Sequence, residues 1–269
     1  MADPQTEEYR RASIAATSAA ALYATQQFSD TVSPSSLYET FESFVEAVVG
    51  PVDSSTNQVI NLARQNYYAS RRMQGVAGDV EWVPKPLEVQ AIRSSLWATA
   101  GQTLQGVEKF NIPVRSAMKR ARVQVGGVVT RQVMNGARNS TIATTKRDRR
   151  ALGALYITRG DTKVCYWCAM LASRGPVFGS NSFVDSDRQF VGTGTAKSHD
   201  HCRCILVQVY SDDTPLLDES HRLEAMWRDV NWREGWRDDP TRGRVKNSGQ
   251  KALREWRRVW EGRHSTISI

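Results

Sequence analysis

The sequence has no run approaching the roughly 18–20 consecutive apolar residues that a helical membrane span needs, so no membrane partner is expected. Its opening, "MADPQTEEYRR", is acidic and polar and lacks the positive leader and apolar stretch of a signal peptide, which leads us to expect synthesis and assembly in the cytoplasm. Cysteine and histidine are scarce, with four of each. In a reducing compartment, clustered cysteines bind metal or do redox chemistry more often than they form structural disulfides. No internal repeat and no sustained heptad seam is present, which argues against solenoid and coiled-coil architectures. Acidic residues are almost missing from residues 111–150, where Arg115, Lys119, Arg120, Arg122, Arg131, Arg138, Lys146, Arg147, Arg149 and Arg150 face Asp148 alone. That block accounts for the whole formal charge of +8. Charge concentrated in this way points to a polyanion or an acidic protein face as neighbour, and a solvated helix face is the plain alternative.

Apolar residues make up 40% of the chain, enough for a real core. Residues 1–150 read as successive helices. The alanine-rich stretch "TEEYRRASIAATSAAALYATQQF" has no internal Gly or Pro and favours helix because alanine loses no side-chain entropy. Ser36 and Glu39 fit a capping box for a second helix, whose stripe is Leu37, Phe41, Phe44, Val45 and Val48. Gly50-Pro51 is expected to stop that helix, with a third running from about Ser55 to Met73. A fourth is expected over about Leu87–Phe110, and a fifth after Pro113 with a kink at Gly126-Gly127.

The texture changes at Ala151. "ALYITRG" and "CRCILVQVY" read as strands, and "CYWCAMLAS" as a short helix. The expected architecture is therefore mainly α, in three parts. Residues 1–150 form a helical domain, 151–210 a small α+β zinc-knuckle unit, and 211–269 a helical tail rich in Trp and Arg. In that tail Trp232 and Trp236, and Trp256 and Trp260, are spaced i,i+4, so each pair shares a face if the segment is helical. Such faces dock either on the chain itself or on another subunit.

The chemistry concentrates in "SHDHCRC", which packs two histidines and two cysteines into seven residues, downstream of "VCYWCAM". Zinc takes four tetrahedral thiolate or imidazole ligands, and two x2-spaced pairs on tight turns can present them. The favoured set is Cys165, Cys168, His199 and Cys202, with Cys204 or His201 as substitutes, holding one structural zinc per chain. Catalytic readings fit less well. A zinc deaminase needs His-x-Glu ahead of Pro-Cys-x-x-Cys; here Cys-x-x-Cys comes first, without Pro, and no Glu follows His199 by two. An HNH-type endonuclease would use an Asp-His base, which "HDH" resembles, but it needs a second knuckle, and no cysteine follows Cys204. A Cys–His protease is compatible with the residue types, yet nothing separates nucleophile from ligand. "GTGT" at Gly192–Thr195 lacks the context of a phosphate loop.

"CYWCAMLASRGPVF" followed by "HDHCRC" resembles the Mu-F-like head morphogenesis proteins of tailed bacteriophages, with actinobacteriophage members most similar in appearance. The residues that carry the resemblance are Cys165, Cys168, Ala169, Arg174, Gly175, Phe178, His199, Cys202, Arg203 and Cys204, confined to about residues 150–210. Asp200 and His201 depart from the commoner His-Pro-x-Cys-Arg-Cys form, which leaves open whether His199 or His201 points into the site. The resemblance implies a non-enzymatic minor capsid protein, assembled in the bacterial host and present in few copies at the portal vertex or inside the head of the virion. Portal, major capsid or scaffold protein would be its partners, with packaged DNA nearby. Arg115, Lys119, Arg120, Arg122, Lys146, Arg147, Arg149 and Arg150 are the residues expected to meet DNA phosphates, by charge and without reading sequence.

Overall fold

The alanine-rich N-terminal sequence forms one uninterrupted helix, α1 (Pro4–Thr31), in the structure, a computed structural model that describes residues 4–158, 164–176, 202–234, 236–239, 243–246 and 249–265. The buried face of α1 is mostly small: Thr6, Ser13, Ala16, Thr17, Ala20 and Ala24, with Tyr9 and Phe28 as the large exceptions. Small side chains let its backbone lie close to the two helices it packs on, α2 (Leu37–Met73) and α5 (Val114–Arg147).

α2 is a single helix that runs straight through Gly50-Pro51, where the sequence led us to expect a stop. Both residues are exposed, so the carbonyl that loses its N–H partner to the proline ring lies on the solvent side. On the opposite side Phe41, Phe44, Val45, Val48, Val52 and Val59 are fully buried. Each contributes about 1.5–3 kcal/mol of burial, and together they outweigh the roughly 3 kcal/mol that an interior proline costs. The expected capping box does not form either. Ser36 closes a short 3₁₀ turn and makes no side-chain cap; instead the Ser33 amide donates to Thr40 Oγ1 at 3.1 Å.

After α2 the chain runs extended along α5, where the Val83 and Lys85 amides donate to Thr144 Oγ1 (3.0 Å) and Ser140 Oγ (2.8 Å). α3 (Val89–Leu96) and α4 (Gln102–Lys109) follow, joined by a π-helical turn over Trp97–Gly101 rather than forming one regular helix. The turn lets the Trp97 ring lie over Gly101, where a Cβ would meet it at 2.6 Å. α5 is the central element. It stays continuous through the buried Gly126-Gly127, with no break at the expected kink. At Gly136 the helix comes so close to α2 that an added Cβ would lie 2.5 Å from Thr56 Cγ2.

β1 (Gly153–Ile157) and β2 (Ile205–Val209) pair antiparallel, from Gly153 opposite Val209 to Ile157 opposite Ile205. Between them in sequence lies α6 (Tyr166–Ala172). β2 is a shared wall. Ile205 and Val207 belong to the core of the helical bundle, whereas Leu206 belongs to a second core built from α6, the cysteines and the tail. The tail itself is α7 (Asp218–Glu234), an antiparallel hairpin of β3 (Trp236–Asp239) and β4 (Gly243–Lys246), and α8 (Gly249–Ser265). Within the tail, which the sequence led us to expect as helical, Trp236–Asp239 and Gly243–Lys246 pair as strands. Trp236 therefore starts a strand and shares no helix face with Trp232.

Candidate metal centre

Cys165 is the N-cap of α6: its Sγ accepts the amide of Cys168 at 3.3 Å, satisfying one of the helix's free N–H groups. This places Cys168 in the first turn, turned inward. Cys202 and Cys204 sit just before β2, and their sulfurs reach the same point from the other side. The Sγ atoms of Cys168, Cys202 and Cys204 all lie within 4.8 Å of one another, and all three residues are buried. Cys168 and Cys202 are 3.6 Å apart, close to the ~3.8 Å that Zn–S bonds of ~2.3 Å impose on two ligands of one tetrahedral ion and far from a ~2.05 Å disulfide bond. All four cysteines are free thiols, with Cys165 half-buried beside Cys168.

The structure thus gathers Cys168, Cys202 and Cys204 and places Cys165 at the edge of the group. His199 and His201 lie outside the described residues. The donor set suits a soft divalent cation, since thiolates select zinc and similar metals over calcium or magnesium. Crowding is part of the chemistry. The thiol of Cys168 is pushed well above its usual value by its contacts with Cys165, Cys202 and Cys204 and by burial. For Cys204 the contact with Cys168 pulls the other way, but Cys202 and burial raise it. A bound cation would convert these thiols to ligating thiolates.

Two further elements fix the site. The indole of Trp256 donates to the Tyr166 carbonyl at 2.6 Å, and that of Trp260 to the Val164 carbonyl at 2.7 Å, so α8 holds the backbone on both sides of Cys165. Trp256 also packs edge-on against Trp227 (5.5 Å) and stacks on Trp260 (5.6 Å). This tryptophan face docks on its own chain. From beneath comes Arg138 of α5, which is 2% exposed. Its Nε donates to Cys204 O (3.0 Å), and its Nη2 to Cys202 O (2.9 Å) and Cys202 Sγ (3.2 Å). Tyr156 of β1 lies under the guanidinium at 5.8 Å, with its hydroxyl 3.2 Å from Cys202 Sγ. Sequence reasoning counted Arg138 as part of the basic block and missed this role. Met134, Arg138 and Ile142 are spaced i,i+4 and all buried, so a charge on the apolar stripe was the available signal.

The basic residues expected to meet phosphates form two exposed groups. Arg115, Lys119, Arg120 and Arg122 lie on the first third of α5 and meet no carboxylate among the described residues. Lys146 and Arg147 end the helix, with Arg149 and Arg150 just beyond it. Arg147 pairs with Glu81 at 3.3 Å, and Arg150 Nη1 donates to Ala77 O at 2.5 Å. α5 has 34 residues and so is about 50 Å long, which puts the two groups at opposite ends. Asp148 is not part of either surface. It is buried in an ion pair with Arg71, with Tyr210 Oη donating to Asp148 Oδ2 at 2.7 Å and Tyr67 Oη at 3.2 Å.

Fold and site together define a mainly helical protein built around a buried, thiol-rich knuckle that can hold a metal ion. No helix among the described residues is long and apolar enough to cross a membrane. A model of the VG15 protein family matches residues 1–230, and the chain belongs to that phage-associated family. The match takes in the bundle, all four cysteines and most of α7, and leaves out α8. No curated protein and no solved structure matches the chain.

Proposed function

We propose that this phage protein is a structural minor capsid protein of the Mu-F-like head morphogenesis type, similar to actinobacteriophage members, carried in the virion in few copies near the portal or the inner shell. The observation that carries this reading is the knuckle. Cys168, Cys202 and Cys204, which belong to the motif behind the resemblance, converge in the fold on one buried point. Three thiols enclosed by the chain, completed by Cys165 or a histidine as fourth ligand, suit a structural zinc, one per chain, because four protein ligands leave no open position for reacting water. The chain acts through binding and not as an enzyme. The exposed Arg115, Lys119, Arg120 and Arg122 support contact with packaged DNA or an acidic face of a portal, capsid or scaffold protein.

The test is a reconstruction of the assembled head with this protein present and deleted. Density at the portal vertex or inner shell that disappears on deletion is the expected result. Its absence from purified virions, or plasmid cleavage by the purified protein with Mg²⁺, Mn²⁺ or Ni²⁺, would overturn the structural role in favour of an enzyme.

A further inference from the structure

A guanidinium buried away from water is costly unless something nearby carries opposite charge. Arg138 makes no ion pair with a carboxylate among the described residues. Its donors go to two backbone carbonyls, to Asn135 Oδ1 at 3.0 Å and to Cys202 Sγ, and its face lies on Tyr156. Carbonyls satisfy the hydrogen bonds but not the charge. The groups around it that can become anionic are the sulfurs of the knuckle and the hydroxyls of Tyr156 and Tyr9, and a thiol that binds a metal gives up its proton far more readily than a phenol. Among the described residues, every hydrogen bond that Arg138 makes outside α5 goes to the cysteine segment ahead of β2.

We infer that Arg138 is the built-in counter-cation of a thiolate-rich divalent metal centre at Cys168, Cys202 and Cys204, and that it orients Cys202 as a ligand. The inference rests on the metal-site reading above. On loading, three thiol protons leave to solvent and three thiolates bind one divalent ion. With a neutral fourth ligand the group carries one net negative charge, which the single guanidinium cancels. The N–H donated to the sulfur of Cys202 stabilises the thiolate without competing for the metal, as outer partners of ligands do. The two carbonyl contacts fix the Cys202–Cys204 backbone, so both sulfurs face α6 before the ion arrives. Arg138 is a positioning residue here, since it need not touch the metal.

The experiment uses the full-length chain and zinc itself, titrated in competition with a colorimetric chelator, with cobalt substitution as the spectroscopic readout. Wild type should bind one equivalent and give an intense thiolate-to-cobalt charge-transfer band. R138M should keep that band but bind about 10–100-fold more weakly. R138K keeps the charge but cannot span both carbonyls and the sulfur, so it should fall between them. Should R138M fail to fold, R138K decides: binding weaker than wild type supports the inference, and equal binding overturns it. A folded R138M with wild-type affinity also overturns it while leaving the metal site standing. Wild type that takes up no zinc or cobalt instead removes the metal-site reading itself.

Discussion

Replacing Asp148 by Asn keeps the shape of the side chain and removes its charge, at the point where the helical bundle meets the small sheet. Arg71, near the end of α2, and Asp148, capping α5, are about 5% and 4% exposed, so their pairing is shielded from water and salt. Arg71 Nη2 also donates to the Gly78 carbonyl at 2.8 Å, and Tyr210 from the end of β2 donates to the carboxylate. With Asn, the guanidinium stays buried among neutral acceptors alone, the Ala77 and Gly78 carbonyls, the Tyr210 hydroxyl at 3.5 Å and the Asn amide oxygen, with the Tyr210 ring 5.5 Å away. Breaking a buried pair in this way costs about 3–5 kcal/mol, and the surviving carbonyl contacts place D148N near the lower end. R71M should cost a similar amount, because Asp148 keeps the Tyr67, Tyr210 and Arg150 donors. The double variant should lose roughly 2 kcal/mol less than the sum, since it leaves no charge buried alone. Urea denaturation of the four proteins measures this cycle. A D148N cost below about 1 kcal/mol, or strict additivity, would refute the reasoning.

The same pair sets a pH dependence whose direction is fixed. Burial pushes the Asp148 carboxyl up, but the Arg71 and Tyr210 hydrogen bonds outweigh it and hold the carboxyl below its usual value. A group with a lowered folded pKa contributes stability that is fully present above its unfolded value of about 3.9 and disappears as pH falls through the folded one. The gap between wild type and D148N should therefore be constant from neutral pH to about pH 5 and shrink below about pH 4. Burial pushes the Tyr67 hydroxyl up to about 12, so it remains a donor throughout.

Three further outcomes are expected. C202S should abolish stoichiometric zinc and speed hydrogen exchange at the β1–β2 amides; zinc content unchanged from wild type would contradict the ligand assignment. Charge reversal at Arg115, Lys119, Arg120 and Arg122 should weaken nonspecific duplex binding and flatten its salt dependence by ~0.9 per lost phosphate contact. Reversal at Arg147, Arg149 and Arg150 should do less, because Arg147 and Arg150 are already engaged by Glu81 and Ala77; equal effects from both sets would argue for one continuous surface. W256F should cost about 1 kcal/mol or slightly more by leaving the Tyr166 carbonyl without its indole donor, and should raise the zinc off-rate measured by chelator trapping.

What could be read in advance was what depends on neighbours in sequence. α1 follows from alanine content, and α6 and the two strands around the cysteines from short apolar and β-branched runs. The Gly50-Pro51 stop failed because it is a local rule. Val48 and Val52, i,i+4 across the proline and both fully buried, carry the helix on by packing that no local rule sees. The cysteine pairs were legible from spacing, but which sulfurs converge depends on how the start of α6 meets the start of β2, and that is tertiary. Arg138 and Asp148 were illegible for a related reason. Both were read only as members of the basic block, and each is buried against a group 64 or more residues away in sequence.

α5 explains why these two charges matter together. Along one helix the chain places an outward basic group at Arg115–Arg122, the close crossing with α2 at Gly136, the knuckle's guanidinium at Arg138 and the carboxylate of the buried pair at Asp148. β2 completes the link, with Ile205 and Val207 in the bundle's core and Cys204 and Leu206 in the knuckle's. A shift of Cys202 and Cys204 that opened the centre would move both the strand that walls the bundle and the carbonyls that hold Arg138. The knuckle is therefore not an independent bead on a helical stalk: its ligands are positioned from α5 below, α8 above and β2 alongside. The surface such a centre can rigidify is correspondingly large, reaching from the tail to the middle of the bundle. Rigidity on that scale is what the structural role proposed above would require, and loss of the cysteines should loosen the tail and the middle of the bundle together.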